Sequence, residues 1–138
     1  MSIEVLIVEA DSSWRYVYKS QVYKANGNVT AVDNLDSALR AVKKQKYDLY
    51  ITGDNYPQSL AKREESGICF KFYEELKKLH PEALVLLISD DDCGLSKKEP
   101  PLNMTFVFKR DAIKIIPAYV QALREIKARK ENNAIEQA

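Results

Sequence analysis

Five short apolar runs punctuate the chain, and between them the apolar residues recur at helical spacing. The first run, residues 3–8, is apolar except for Glu4, as expected of a strand covered on both faces. It stops at Glu9-Ala10-Asp11-Ser12-Ser13, where Asp11, Ser12 or Ser13 can cap a helix that runs to about Ala25. Trp14, Val17, Tyr18, Gln21 and Val22 fall at helical spacing there, and Trp14 and Tyr16 do not both fit its inner face. Asn26-Gly27 ends it, with the glycine expected to take the left-handed conformation. A second strand, residues 29–32, gives way to a polar stretch from Asp33 to Ser37 that offers several caps. The helix that follows turns Leu35, Ala38, Leu39 and Val42 inward and Arg40, Lys43 and Lys44 outward.

The middle of the chain carries the sharpest boundary. Tyr47-Asp48-Leu49-Tyr50-Ile51-Thr52 leads into Gly53-Asp54-Asn55-Tyr56-Pro57, an apolar strand that ends abruptly in turn residues. A long polar connection, residues 58–66, follows. Gly67 then opens a helix with Ile68, Phe70, Phe72, Leu76 and Leu79 near one side, ending around His80-Pro81, with His80 read as a surface residue. The fourth strand, residues 83–88, is apolar throughout and therefore central. Beyond Ser89 the pattern weakens: Asp90-Asp91-Asp92 and the paired Pro100-Pro101 stand where a fourth helix is expected, so that helix is short or disrupted. The acidic triplet lacks the alternating ligand spacing of a calcium loop and reads as a solvated turn. A fifth strand, residues 105–108, precedes a last helix from Ala112 to about Lys130, with Ile115, Ile116, Tyr119, Leu123 and Ile126 inward and Pro117 in its early turns. Residues 131–138 are polar and expected to fray.

Strand and helix alternate five times, which predicts an α/β fold: a flavodoxin-like, doubly wound, five-stranded parallel sheet with strand order 2-1-3-4-5. Residues 1–130 form the domain and 131–138 a polar tail. In such a sheet the carboxyl ends of the central strands are where chemistry collects.

The framework resembles the receiver domain of response regulators over nearly the whole chain. In that family Asp-Leu and three apolar residues lead into a phospho-accepting aspartate, with proline four residues later. Here Asp48-Leu49 and Pro57 are in place, and the acceptor position is Gly53, with Asp54 one residue late. The resemblance assigns five landmarks. Glu9 keeps the first of two metal-holding acids and Ala10 vacates the second; Gly53 replaces the acceptor; Ser89 matches the hydroxyl that contacts the phosphoryl group; Phe106 matches the aromatic switch position; Lys109 matches the lysine ending the fifth strand, followed by Arg110 where proline is common. An aspartate attacks a phosphoryl group usefully only when a hard cation neutralises the oxygens. Magnesium draws on one or two carboxylates to do so, and only Glu9 stands where the pattern wants an acid.

The expectation is therefore a stand-alone pseudo-receiver, a degenerate member that is not an enzyme and acts as a phosphorylation-independent protein-interaction module in two-component signalling. Two other readings stay open. In one, Asp54 is phosphorylated with Mg2+ held by Glu9, with help from Asp11; in the other, the vacated pocket binds a small ligand. Structural roles are open to the survivors too: Lys109 as an ion pair with Glu9, Ser89 as a partner for loop backbone, Phe106 as a core aromatic. The connection from Pro57 to Gly67, longer than the family's usual interval, carries Lys62-Arg63-Glu64-Glu65 and would cover the pocket, meet a partner, or do neither.

Charge and cysteine content narrow the partners. Among 138 residues, 21 Lys+Arg against 20 Asp+Glu leave a net charge of +1, which gives no electrostatic basis for nucleic-acid or membrane binding. Cys69 and Cys93 lack metal or redox spacing, and no long apolar segment is present, so the chain reads as cytoplasmic and reduced. No cofactor is expected apart from the doubtful Mg2+. The partner expected is a signalling protein, with a homodimer as a further expectation.

Overall fold

A computed structural model describes residues 2–90 and 103–137, among which lie four α-helices and seven strands. Five parallel strands form the sheet: β1 (Glu4–Val8), β2 (Asn28–Val32), β3 (Leu49–Thr52), β6 (Val85–Ser89) and β7 (Met104–Phe108), in the order β2-β1-β3-β6-β7. This is the expected 2-1-3-4-5 order once a two-residue ribbon, β4 (Tyr56–Pro57) against β5 (Glu64–Glu65), is set aside. That ribbon was not anticipated: β4 comes just before the long polar connection and β5 lies within it. Expectations resting on Asp91, Asp92, Cys93 and Pro100-Pro101, including the disrupted fourth helix, fall outside the described residues.

Alternation along the strands builds two cores. Leu6 and Val8 face one side, where Tyr50, Val85 and Leu87 pack with Ala38 and Val42 of α2 (Leu35–Lys44) and Phe72 and Leu76 of α3 (Ile68–Leu79). Val5 and Ile7 face the other, where Ile51, Leu86 and Val107 pack with Tyr18 and Val22 of α1 (Ser12–Lys24) and Ile116 and Val120 of α4 (Ala112–Gln137). Because β1, β3 and β6 are covered on both faces, they read as unbroken apolar runs.

Several local expectations change. Asp11 is the α1 cap, its Oδ1 accepting from Ser13 N–H at 2.8 Å and Trp14 N–H at 3.2 Å. After α1 the left-handed residue is Asn26, with φ 61, whereas Gly27 has no positive φ. Gly27 instead permits close packing, since a Cβ there would stand 2.7 Å from Val22 Cγ1. Helix α4 continues to Gln137 where fraying from residue 131 was expected, a length of roughly 40 Å at the α-helical rise. Ile126, assigned to the inner face, is 46% exposed. Leu79, at the end of α3, is likewise exposed. His80 is half-buried, its Nε2 lying 3.0 Å from Val42 O. Among the described residues no helix is long and apolar enough to cross a membrane.

Asn26→Gly is expected to leave stability unchanged or to raise it slightly, because glycine adopts the left-handed region without strain. Gly27→Ala is expected to cost about 1–3 kcal/mol by overpacking against Val22. Denaturant unfolding of both variants checks the reversal, and equal effects would place the turn's requirement elsewhere.

Candidate functional site

Strand register brings the sequence landmarks to one end of the sheet. Val8 of β1 lies opposite Thr52 of β3, and Thr52 opposite Leu87 of β6, so the residues that follow emerge together at the carboxyl edge. Backbone bonds carry the alignment one step further: Glu9 N–H donates to Val32 O at 3.0 Å and Gly53 N–H to Val8 O at 2.8 Å. Glu9 and Gly53 are thereby set side by side.

The consequence is steric. Glu9 is only 5% exposed, and its carboxylate lies over the bare Cα of Gly53. A Cβ built on Gly53 would stand 2.9 Å from Glu9 Oε1 and 3.2 Å from Oε2. Any side chain at position 53 would have to displace that carboxylate. The glycine therefore serves space, not backbone freedom, and its φ is not positive. Glu9 thus occupies the space that a Cβ at position 53 would take.

Asp54, one residue late, reaches the site after all. The chain bends at Asp54 as it leaves β3, and Ser89 Oγ donates to Asp54 Oδ2 at 2.6 Å. The side-chain alternation of a strand does not govern this position, because β3 has already ended at Thr52. Ser89 is fully buried at the end of β6.

Lys109 does not form the expected ion pair with Glu9. Its Nζ lies 3.5 Å from Asp90 Oδ2 and 5.2 Å from the centre of the Trp14 ring. Strand β7 ends at Phe108, and Lys109 begins a short 3-10 turn that directs it over α1. Phe106 is half-buried against the α2 and α3 core and meets Phe108 edge-on, with ring centres 4.8 Å apart. Arg110 lies over the Phe108 ring at 4.9 Å, and the cleft lined by Asp90, Phe108, Lys109 and Arg110 encloses about 300 Å³.

Three buried groups escaped sequence reasoning. The Thr52 hydroxyl donates to Gly53 O at 2.8 Å and is paired with the Tyr56 hydroxyl at 3.2 Å, forming a polar floor beneath the site. Burial pushes the Tyr56 phenol up. The Tyr18 hydroxyl is buried with no hydrogen-bond partner, and burial followed by the Glu9 carboxylate raises its pKa. All three look like ordinary core residues in the sequence; the apolar-run pattern does not separate a Thr or Tyr that packs from one that also bonds.

The donor set does not fit magnesium. Glu9 Oε2 accepts from Asp11 N–H at 3.1 Å, Asp11 is committed to the α1 cap, and Ala10 carries no ligand. Among the described residues, no three of His, Cys, Asp and Glu converge to hold a metal ion.

Comparison with known proteins agrees with the architecture. No protein-family model and no curated protein matches the chain. Among solved structures, the chemotaxis response regulator CheY4 of Vibrio cholerae superposes with a TM-score of 0.71 at 17% identity, covering 89% of this chain and 99% of that one. The response regulator TrrA of Thermotoga maritima, in complex with Mg2+-BeF, gives 0.68 at 19% identity, over 88% of this chain and 98% of that one. The RcsB response regulator of Salmonella typhimurium gives 0.67 at 14% identity; the match takes in 90% of this chain and spans 60% of the length of that one. This chain has the receiver-domain fold of response regulators.

Electrostatics of Glu9 yields a measurable signature. Burial is the largest influence and pushes its carboxyl above the ordinary 4.5. The Asp11 N–H and then Lys109 pull it back, while the Asp11 and Asp54 carboxylates push it up. With a folded pKa above the unfolded one, the native state binds the extra proton. Stability therefore falls as pH rises from about 4.5 through the folded pKa. Glu9→Gln keeps an acceptor for Asp11 N–H and is expected to flatten this slope, making the variant the more stable protein at neutral pH; urea midpoints across pH 4 to 8 check it. Lys109→Ala is expected to cost about 1 kcal/mol, mostly through the lost contact with Trp14, since the Asp90 partner is exposed. Thermal unfolding of Lys109→Ala beside Asp90→Ala separates the two contributions.

Proposed function

We propose that this chain is a receiver-fold interaction module in signalling, one whose output does not run through aspartyl phosphorylation and which catalyses no reaction. The observation that carries the reading is the Glu9 carboxylate seated over Gly53, where a nucleophile's side chain would begin. Phosphoryl transfer to an aspartate needs the nucleophile, a cation to neutralise the oxygens, and room for the incoming group. Support comes from Gly53, which offers no side chain, from Ala10, which offers no second acid beside Glu9, and from the Glu9 carboxylate, which lies where a side chain at 53 would begin. The fold is retained, so the surfaces by which receiver domains meet signalling partners remain available without the switch.

A second reading draws on the bond from Ser89 to Asp54 at 2.6 Å. It makes Asp54 the acceptor, already aimed at the landmark hydroxyl. In this geometry Asp54 Oδ2 is occupied as a hydrogen-bond acceptor and a second carboxylate, Glu9, is close enough to affect it electrostatically, so an approaching phosphoryl group would meet negative charge.

Incubation with Mg2+ and acetyl phosphate, followed by intact-mass measurement, decides between them. The expected result is an unchanged mass. A stoichiometric phosphoryl adduct would sink the first reading, and its disappearance in Asp54→Asn would establish the second.

A further inference from the structure

Strand β2 closes one side of the sheet and pairs with β1 alone. Along a strand the backbone N–H and C=O groups of successive residues point alternately to its two sides. Two bonds fix which residues of β2 point inward: Asn28 N–H donates to Ile3 O at 2.8 Å, and Val32 O accepts from Glu9 N–H at 3.0 Å. Thr30 shares their direction. The N–H and C=O of Val29 and Ala31 therefore point out of the sheet, and among the described residues no hydrogen bond reaches them.

Edge strands are ordinarily blunted by lysine, proline, a bulge or an inward-pointing charge, because a row of free donors and acceptors is a template for another strand. None of these devices is present in β2. It reads Asn28-Val29-Thr30-Ala31-Val32, without charge or proline, and its register with Glu4–Val8 runs residue for residue without a bulge. Asn28 and Thr30 are exposed, and Val29 and Ala31 are half-buried.

The free groups are complementary to themselves. When a copy is aligned antiparallel with Thr30 opposite Thr30, Val29 stands opposite Ala31 and exchanges both N–H···O bonds with it, and a two-fold axis repeats the exchange. Every outward N–H of one strand then meets an outward C=O of the other. The side chains that meet at the axis are two threonines, a favourable cross-strand pair. With no charge in either strand, no like charges oppose one another across the join.

We propose that β2 is a self-association edge, at which two copies of this chain join antiparallel about Thr30 and continue one sheet across both. Two five-residue strands cover less than the roughly 1,200 Å² at which standard interfaces begin, so the dimer forms in the micromolar-to-millimolar range. The proposal goes beyond the interaction-module reading and does not depend on the state of Asp54.

Sedimentation equilibrium of the full chain across that concentration range is expected to show a monomer–dimer equilibrium, with amide exchange at Val29 and Ala31 slowing as the dimer forms. Ala31→Pro removes an outward N–H and no bond to β1, the one kind of strand position that accepts proline, and is expected to leave the chain folded and monomeric. Thr30→Lys and Thr30→Glu set like charges opposite one another, and each is expected to weaken self-association about fivefold at low salt. An equimolar mixture of the two is expected to restore it. A chain that stays monomeric at the highest concentration, protection that rises on another face, or a dimer that persists in folded Ala31→Pro overturns the proposal. The charged variants decide even where Ala31→Pro does not fold: a mixture that associates no better than either variant alone rules out a two-fold at Thr30.

Discussion

The arrangement at the sheet's carboxyl edge turns on the contact between the Glu9 carboxylate and the bare Cα of Gly53, where a Cβ would stand 2.9 Å from Glu9 Oε1. Parallel pairing of β1 with β3 forces the two residues together, because Val8 and Thr52 are register partners and Gly53 N–H bonds Val8 O. A side chain at 53 would drive Glu9 out of a nearly dry pocket, and shortening Glu9 would leave a void over a glycine. At this edge Glu9 lies on Gly53, Ser89 donates to Asp54, and Lys109 sits between Asp90 and Trp14.

That edge is joined to the inserted ribbon through the polar floor. Thr52 ends β3 and pairs with the Tyr56 hydroxyl, while Tyr56 begins β4 and buries its ring in the core. Asp54 O accepts from Cys69 N–H near the start of α3 at 3.4 Å, so the segment leaving the site and the one returning from the insertion are held to each other. The ribbon is therefore an extension of the site's framework. Because its bonds run to α2 and not across the strand ends, it projects Leu60 away from the site.

The architecture was legible because burial on both faces leaves unmistakable runs: β1, β3 and β6 carry almost no polar residue, and the helices between them keep an apolar stripe. Boundaries were less so where two residues compete for one role. Asn26 and Gly27 are both suited to the left-handed turn, and packing against Val22 decides that glycine is needed at the second position. The end of α4 was misjudged because polar residues suggested fraying, whereas the helix continues to Gln137 with residues 131–134 exposed.

By itself the sequence determined the five sheet strands and the helices between them that the structure describes, since each follows from patterns within a few turns or one strand, while the strand-end landmarks came from the resemblance. It also determined that position 53 carries no nucleophile. Only the tertiary structure decided where the remaining charges go. Asp11 is spent on a cap, Lys109 turns to Asp90 and Trp14, Asp54 swings to Ser89, and Glu9 closes over Gly53. Each of the last three outcomes depends on distances between strand ends or loops far apart in the chain. Those distances are set by inter-strand register and core packing, which no local pattern encodes.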